Sequence, residues 1–322
     1  MKYLARLTLF LIIVLVSLGL GEFAIRLWFE YSQNYDIEMW KYAVRLKKSA
    51  PDRRGHIHIP GQEAVLMGAQ VRINELGWRD RSVQPSDLDS ENRILFAGDS
   101  ICFGWGVNEG DRFSNLFQNW LRTEKHLKNA VVFNGGVGNY NSSQVSHFLR
   151  KQAQLIRPTE IIYAFFINDL EPAQTKQYGF VLSHCLLFAT IKSVLARFIG
   201  HARVQGTYLE YYSSLFQNSE NLVRFKRDVA RMKTTANQLG DCQFKVLLIP
   251  ELHQLDPYPF ESNYQQIKNI LSELGIPYID ALTGFDMTIS PEKYWVASDD
   301  AHPNKMGNQA IFKALIGAYE DK

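Results

Sequence analysis

The chain has 322 residues, 46% of them hydrophobic and 21% charged, with 35 Lys and Arg against 33 Asp and Glu. This length suffices for one large domain or two small ones, and a formal net charge of +2 gives no electrostatic case for binding nucleic acid. The three cysteines cannot all pair within the chain, which excludes a protein built on a disulfide framework.

Residues 1–29 form an apolar N-terminal segment. Lys2 and Arg6 precede an uncharged stretch that ends at Gly21, a pattern typical of a signal peptide or of a transmembrane anchor. We favour an uncleaved anchor, because no Ala-x-Ala cleavage site follows and the apolar character continues to Phe29. A cleaved signal, which would leave a secreted protein, is the alternative. The basic residues favour a cytoplasmic N-terminus, with the following domain outside the cytoplasm, in the periplasm or beyond.

Residues 30–90 are predicted to form a stalk that leads into a small decorating hairpin. Residues 71–73 alternate between apolar and polar side chains as a short strand does, and residues 74–77 have the composition of a turn.

From residue 91 onward, strand and helix patterns alternate. Short apolar runs predict strands over residues 93–97, 130–134, 160–166, 244–249 and 277–280, and helical spacing of apolar residues is found over 113–121, 264–274 and 311–318. Such alternation predicts an α/β fold with a parallel sheet, helices on both faces, and ligands bound beyond the carboxyl ends of the strands. The segment of about residues 172–237 is too long for a simple crossover between two parallel strands, so a helical insertion is expected there.

Polar residues follow three of the predicted strands. Ser100, Asn134 and Asn168 therefore belong at one edge of the sheet and in one site. A serine becomes a nucleophile only with a base, and His302, with two aspartates just before it, suits that task. Because the serine precedes the histidine, the chymotrypsin and subtilisin plans are disfavoured. The α/β-hydrolase plan is disfavoured too, since Ser100 is not in a G-x-S-x-G motif.

Four blocks of sequence resemble those of the SGNH (GDSL-type) hydrolases. They are Gly98-Asp99-Ser100, the Gly-rich stretch 134–139, residues 166–169 (Phe-Ile-Asn-Asp, where the family usually begins with Gly), and residues 299–304 (Asp-Asp-Ala-His-Pro-Asn). The similarity spans residues 91–322. It implies a three-layer α/β/α sandwich around a mostly parallel, flavodoxin-like sheet of five strands.

The resemblance also implies a catalytic triad. Ser100 would be the nucleophile and His302 the general base. The family's D-x-x-H spacing points to Asp299 as the acid that orients His302. Asp300 stays open as an alternative, because some relatives place the acid two residues before the histidine.

By the same resemblance, three groups would stabilise the oxyanion. They are the backbone N–H of Ser100, a backbone N–H in the second block, and the side-chain amide of Asn168. The family's donor glycine falls at Asn139, with Gly138 as the alternative backbone donor. Asn is acceptable there because it tolerates a left-handed backbone better than most residues.

The expected function is that of a serine esterase that cleaves acetyl or other acyl esters through an acyl-Ser100 intermediate, without a cofactor or metal. An anchor would place the enzyme at the membrane, where its substrates would be small-molecule, glycan or lipid esters. Two alternatives remain. One is a polysaccharide O-acyltransferase, in which a glycan hydroxyl replaces water. The other is a catalytically silent binding or assembly module, which is favoured by the presence of Phe166 where the family usually has Gly. The sequence makes no prediction of oligomeric state.

Overall fold

The structure is a computed structural model, and it describes residues 2–31, 34–173, 184–203 and 208–320. Two compact units make up the chain: residues 1–44 with 177–205, and residues 45–176 with 206–322. Part of the predicted insertion, residues 174–183 and 204–207, lies outside the described residues.

The described strands, in chain order, are β1 (Lys47–Ser49), β2 (His56–His58), β3 (Glu63–Leu66), β4 (Ala69–Arg72), β5 (Arg93–Gly98), β6 (Val131–Asn134), β7 (Glu160–Phe165), β8 (Gln243–Leu248), β9 (Tyr278–Asp280), β10 (Trp295–Ala297) and β11 (Asp300–Pro303). The helices are α1 (Lys2–Tyr31), α2 (Tyr35–Arg45), α3 (Pro85–Leu88), α4 (Ser100–Phe103), α5 (Phe113–Thr123), α6 (Ser142–Gln152), α7 (Leu186–Arg203), α8 (Tyr208–Gln217), α9 (Ser219–Asn237), α10 (Glu261–Glu273) and α11 (Lys305–Glu320). Short 3-10 turns span Glu109–Asp111, Ala153–Leu155, Ile167–Leu170, Ala281–Gly284 and Pro291–Tyr294.

The larger unit is built on a five-stranded sheet in the order β6-β5-β7-β8-β9. Every neighbouring pair in it is parallel. The five strands predicted from apolar runs are these five, and the predicted α/β fold with a parallel sheet between helices is confirmed. Since all strands point the same way, their carboxyl ends meet at one edge, which is where the candidate site lies.

Both faces of the sheet are buried, because apolar side chains alternate from face to face along each strand. In β5, Leu95 and Ala97 belong to one apolar cluster, and Ile94 and Phe96 belong to the other. Helices α6, α9 and α10 cover the first face, with residues such as Phe148, Phe225 and Ile267. Helices α5 and α11 cover the second face. The result is a three-layer sandwich.

Residues 47–90 belong to the larger unit. Strands β1 and β2 form one antiparallel hairpin, and β3 and β4 form another. The buried guanidinium of Arg79 donates to the backbone carbonyls of Phe103 and Val107, at 3.1 and 2.6 Å. This N-terminal segment therefore contacts the chain on both sides of the turn that follows Ser100.

The smaller unit contains α1, α2 and α7. Residues 2–29 of α1 are long and apolar enough to cross a membrane, with a mean hydropathy of 2.4, and no other helix among the described residues is. Near the end of α1, Glu22 pairs with Arg26 at 2.7 Å and accepts a hydrogen bond from the backbone N–H of Leu187 at 2.7 Å. The first backbone N–H groups of a helix have no acceptor within the helix, and the Glu22 carboxylate supplies one at the N-terminus of α7.

Candidate active site

Ser100 is the first residue of α4, directly beyond the carboxyl end of β5. The carboxylate of Asp99 caps this short helix by accepting the backbone N–H of Ile101 at 2.9 Å. The helix ends at Phe103 and is capped by Gly104, whose φ of +80° is left-handed backbone that glycine adopts without strain. A strand, a capped single turn and a glycine thus fix the serine at the edge of the sheet, where its side chain is nearly buried.

The hydroxyl of Ser100 meets the imidazole of His302, which is 202 residues away in the sequence. Ser100 Oγ and His302 Nε2 are 2.8 Å apart, within hydrogen-bonding distance. His302 belongs to β11, which pairs with β10 in a small antiparallel hairpin separate from the central sheet.

Asp300 occupies the position that the spacing predicted for Asp299. Its Oδ1 lies 2.5 Å from His302 Nδ1 and accepts the backbone N–H of His302 at 3.1 Å. The side chain of Asp299 is exposed, whereas Asp300 is buried. The reason is the alternation of side chains along a strand: in β11, residues 300 and 302 share a face, and residue 299 has the opposite parity.

The carboxylate of Asp300 has a further donor in the indole of Trp105. Trp105 Nε1 donates to Asp300 Oδ2 at 2.7 Å, so each carboxylate oxygen has a partner. Burial raises the pKa of Asp300, but the hydrogen bonds from His302 and Trp105 outweigh it and leave the pKa below its ordinary value. Asp300 is therefore ionised near neutral pH and fixes the proton of His302 on Nδ1, which leaves Nε2 to accept from Ser100.

The second block forms a loop beside α4. A Cβ at Gly136 would overlap the backbone nitrogen of Phe103, so only glycine fits there. Asn139 has a φ of 66°, a left-handed conformation that Asn tolerates. Next to it, the carbonyl of Gly138 accepts hydrogen bonds from Lys47 Nζ at 2.7 Å and from His56 Nε2 at 3.0 Å.

Asn168 lies in the 3-10 turn that follows β7, the strand beside β5. Its Nδ2 donates to Asp99 Oδ2 at 2.9 Å. An amide nitrogen carries two hydrogens, and the second makes no hydrogen bond within the described part of the chain. Phe166, which replaces the family's glycine, is half-buried and packs against both apolar clusters.

Sequence reasoning did not assign three residues that contact this site: Trp105, Lys47 and His56. Nothing in the sequence neighbourhood of Trp105 indicates a hydrogen bond to a residue 195 positions later. Lys47 and His56 lie in the segment interpreted as a stalk. Among the described residues, no group of three His, Cys, Asp or Glu side chains is arranged to hold a metal ion.

A sequence profile of the GDSL-like lipase/acylhydrolase family matches residues 96–310. No protein of curated function matches the chain significantly.

Several solved structures are similar to the chain, at low sequence identity. LAE5, an α/β hydrolase enzyme from the metagenome of Lake Arreo, is 15% identical, with coverage of 72% of this chain and 96% of that one and a TM-score of 0.46. A catalytic mutant of Axe2, an acetylxylan esterase from Geobacillus stearothermophilus, is 16% identical, with coverage of 71% and 94% and a TM-score of 0.44. The acetyl xylan esterase AlAXEase is 13% identical, with coverage of 70% and 98% and a TM-score of 0.45.

Proposed function

Because the chain belongs to the GDSL-like lipase/acylhydrolase family and is a hydrolase of ester bonds, we propose that Ser100, His302 and Asp300 are its catalytic triad. The observation that carries this proposal is the unbroken line of contacts from Ser100 Oγ to His302 Nε2, at 2.8 Å, and from His302 Nδ1 to Asp300 Oδ1, at 2.5 Å. Nucleophile, base and orienting acid are each within the reach that proton transfer needs.

The triad performs acyl transfer in two steps. His302 Nε2 takes the proton of Ser100 as Oγ attacks the ester carbonyl, and it returns that proton to the departing alcohol, which leaves an acyl-Ser100 ester. Water then attacks the acyl group, with His302 again as the base, and releases the carboxylic acid and the free serine. Asp300 stays ionised throughout and stabilises the imidazolium.

The negative oxygen that forms during each attack needs preorganised donors. We assign this role to the backbone N–H of Ser100, to the second N–H of the Asn168 amide, and to the backbone N–H of Asn139, with Gly138 as the alternative. In support, the side-chain amide of Asn168 donates a hydrogen bond to Asp99, the residue before Ser100. The carbonyl of Gly138, next to Asn139, accepts hydrogen bonds from Lys47 and His56.

We propose that the substrates are acetyl or other acyl esters of glycans or lipids at the cell envelope. The support is the N-terminal helix, whose residues 2–29 are long and apolar enough to cross a membrane, with Lys2 and Arg6 close to its N-terminal end. In this arrangement α1 anchors the protein and the hydrolase domain lies outside the cytoplasm. A glycan hydroxyl in place of water at the second step would give an O-acyltransferase.

A fluorophosphonate probe tests the nucleophile without requiring the true substrate. The full-length protein in detergent should be labelled, and Ser100→Ala should not be.

The protein should then hydrolyse acetate esters of sugars. Absence of labelling in a folded protein would contradict an active serine and favour the silent module. Turnover of long-chain lipid esters alone would contradict the glycan substrate, and acetyl transfer to an added oligosaccharide in preference to hydrolysis would favour the acyltransferase.

A further inference from the structure

A second pair of a carboxylate and a histidine lies at the same edge of the sheet. Glu251 follows β8, and its buried side chain contacts His253 Nδ1 through Oε1. Its Oε2 accepts the backbone N–H of His253 at 3.0 Å. The imidazole of His253 is 43% exposed. Nothing in the proposed acyl transfer uses this pair.

The pair repeats the geometry of Asp300 and His302. In both cases the acid precedes the histidine by two residues, accepts its backbone N–H and contacts its Nδ1. The difference lies at Nε2. His302 directs Nε2 to Ser100, whereas within the described part of the chain His253 Nε2 has no hydrogen-bond partner. A carboxylate thus fixes the ring of His253 and leaves its outer nitrogen for a ligand.

Contacts on one side connect His253 to the hairpin that carries His302. The Trp295 ring lies 5.0 Å from that of His253, and its Nε1 donates to the carbonyl of Leu252 at 2.8 Å. Trp295 is the strand partner of Pro303, the residue after His302.

Contacts on the other side connect His253 to the turn that carries Asn168. The ring of Tyr208, at the start of α8, lies 4.6 Å from that of His253. One turn later, the hydroxyl of Tyr211 donates to Glu171 Oε1 at 3.3 Å, and the backbone N–H of Glu171 donates to the carbonyl of Asn168 at 2.9 Å. His253 therefore contacts the hairpin that carries the base, and it is connected through α8 to the turn that carries the proposed oxyanion donor.

The exposed part of this surface is aromatic. Tyr208 is 42% exposed and Tyr211 is 45% exposed, although both lie beside other rings. Aromatic faces with a polar tip suit a ligand that has both apolar C–H faces and hydroxyl groups, as a sugar ring does. A hydroxyl can donate to a neutral imidazole or accept from a charged one, so it fits His253 in either protonation state.

We propose that His253, Tyr208, Tyr211 and Trp295 form a subsite that binds a sugar residue in the alcohol part of the ester. The proposal rests on the proposed function of Ser100. In this subsite His253 Nε2 hydrogen-bonds a sugar hydroxyl, Glu251 holds the imidazole in place, and the tyrosine rings contact the sugar's C–H face.

The hydrogen bond to Glu251 raises the pKa of His253, while burial lowers it to a smaller extent, so the net pKa is above the ordinary value. A larger share of His253 is consequently charged near neutral pH, and its Nε2 then donates to a hydroxyl oxygen in a charge-assisted hydrogen bond.

The first test compares two acetate esters on the full-length protein in detergent. His253→Asn keeps an amide that can donate to Glu251 but removes Nε2, and Tyr208→Ala removes one ring. We expect KM for 6-O-acetylglucose to rise by about 5- to 10-fold in each variant with kcat unchanged, since one hydrogen bond or ring contact is lost. Kinetics with p-nitrophenyl acetate, which has the same acyl group and no sugar, should be unchanged.

Two control variants match these changes elsewhere on the larger unit. His147→Ala removes a histidine on α6 that lies near Asp52, and Tyr278→Ala removes a tyrosine that is 40% exposed on β9. Neither should change either substrate's kinetics, and fluorophosphonate labelling of Ser100 should be the same in all variants. Equal losses on both esters, or weaker labelling in His253→Asn, would assign His253 to the triad or the fold and overturn the subsite. Unchanged kinetics on both would also overturn it and leave the triad proposal standing.

A binding measurement decides the matter even if the protein cleaves neither ester. Ser100→Ala is titrated with unacetylated xylotetraose, cellotetraose and chitotetraose, and tryptophan fluorescence is followed because Trp295 lies in the proposed subsite. A saturable change that disappears in Ser100→Ala/His253→Asn and persists in Ser100→Ala/His147→Ala supports the subsite. No change with any of the three oligosaccharides overturns it.

Discussion

The neighbouring carboxylates of Asp299 and Asp300 have different environments, because successive side chains along a strand point to opposite faces. Asp300 is buried between the imidazole of His302 and the indole of Trp105, and Asp299 is exposed. The sequence-based prediction favours Asp299 over Asp300, because the spacing alone does not show that residues 300–303 form a strand, whereas in the structure it is Asp300 that contacts His302. In a strand, an acid two residues before the histidine shares its face.

Asp300→Asn should lower kcat for p-nitrophenyl acetate by about 10²- to 10⁴-fold with little change in KM, because an amide no longer holds His302 in the required tautomer or stabilises its charge. Asp299→Asn is the matched control and should remain within about twofold of the wild type, as expected of an exposed side chain. Steady-state kinetics on the two purified variants measure this. A large loss in Asp299→Asn with Asp300→Asn near wild type would contradict the assignment of the acid.

Short strands and loops position the residues of the site, and only some of these elements could be predicted from the sequence. Strands β5 and β7 were predictable because each is an apolar run buried on both faces. The contacts of Lys47 and His56 with the Gly138 carbonyl were not predictable, because they join residues 91 and 82 positions apart and depend on how the fold brings a polar hairpin to a loop.

Gly136→Ala should destabilise the larger unit by about 2 to 3 kcal/mol, because its Cβ would overlap backbone atoms of Cys102 and Phe103 that cannot move aside. The added methyl group also pushes the second-block loop away from α4, so activity should fall. Gly110→Ala is the control: nothing lies within 4 Å of its Cβ. Thermal unfolding of both variants measures the difference. A Gly136→Ala protein as stable as Gly110→Ala would show that the close approach of loop and helix is not as described.

Strand β2 gives the fold a pH-dependent contribution through His58. This side chain is buried, its Nδ1 lies 2.9 Å from the carbonyl of Gly77, and burial lowers its pKa from 6.5 to about 3. The unfolded chain therefore binds a proton near pH 6.5 that the folded protein does not bind until about pH 3. The stabilisation is complete above about pH 6.5 and decreases as the pH falls toward about 3.

His58→Asn keeps a donor for Gly77 and does not titrate. Between about pH 6.5 and pH 4, the unfolding free energy of the wild type should fall more steeply than that of His58→Asn, by up to about 1.4 kcal/mol per pH unit. His126→Asn, at an exposed position, should follow the wild type. Denaturant unfolding at a series of pH values gives the slopes. Parallel slopes for wild type and His58→Asn would rule out this contribution.

At the scale of the whole molecule, the sequence predicted the hydrolase sheet and the apolar N-terminal helix. It placed the start of the domain at residue 91, whereas the larger unit begins at residue 45. The intervening residues contain short polar strands, which have weak periodicity and take their stability from contacts such as those of Arg79 with the turn after Ser100.

The proposed N-terminal anchor predicts the topology of the protein. Alkaline phosphatase fused after the C-terminus should be active in cells, because it forms its disulfides only outside the cytoplasm, and a cytoplasmic fluorescent reporter at the same place should stay dark. The mature protein should retain Lys2 and remain in the membrane after an alkaline carbonate wash. Replacing Lys2 and Arg6 with Glu should weaken this orientation. An inactive phosphatase with a bright reporter would place the domain on the cytoplasmic side, and loss of the N-terminal residues would indicate a cleaved signal.

Lys47 donates hydrogen bonds to the Gly138 carbonyl and to Asn139. It is the first residue of β1 and lies two residues after the end of α2 at Arg45. A recombinant protein trimmed to the family similarity at residue 91 would lack Lys47, His56 and Arg79, and its second-block loop would lose the hydrogen bonds that Lys47 and His56 donate to Gly138. Such a fragment could express well and still hydrolyse esters poorly. Any shortened version should therefore keep the residues from 45 onward, and inactivity of a shorter one is not evidence against the enzyme.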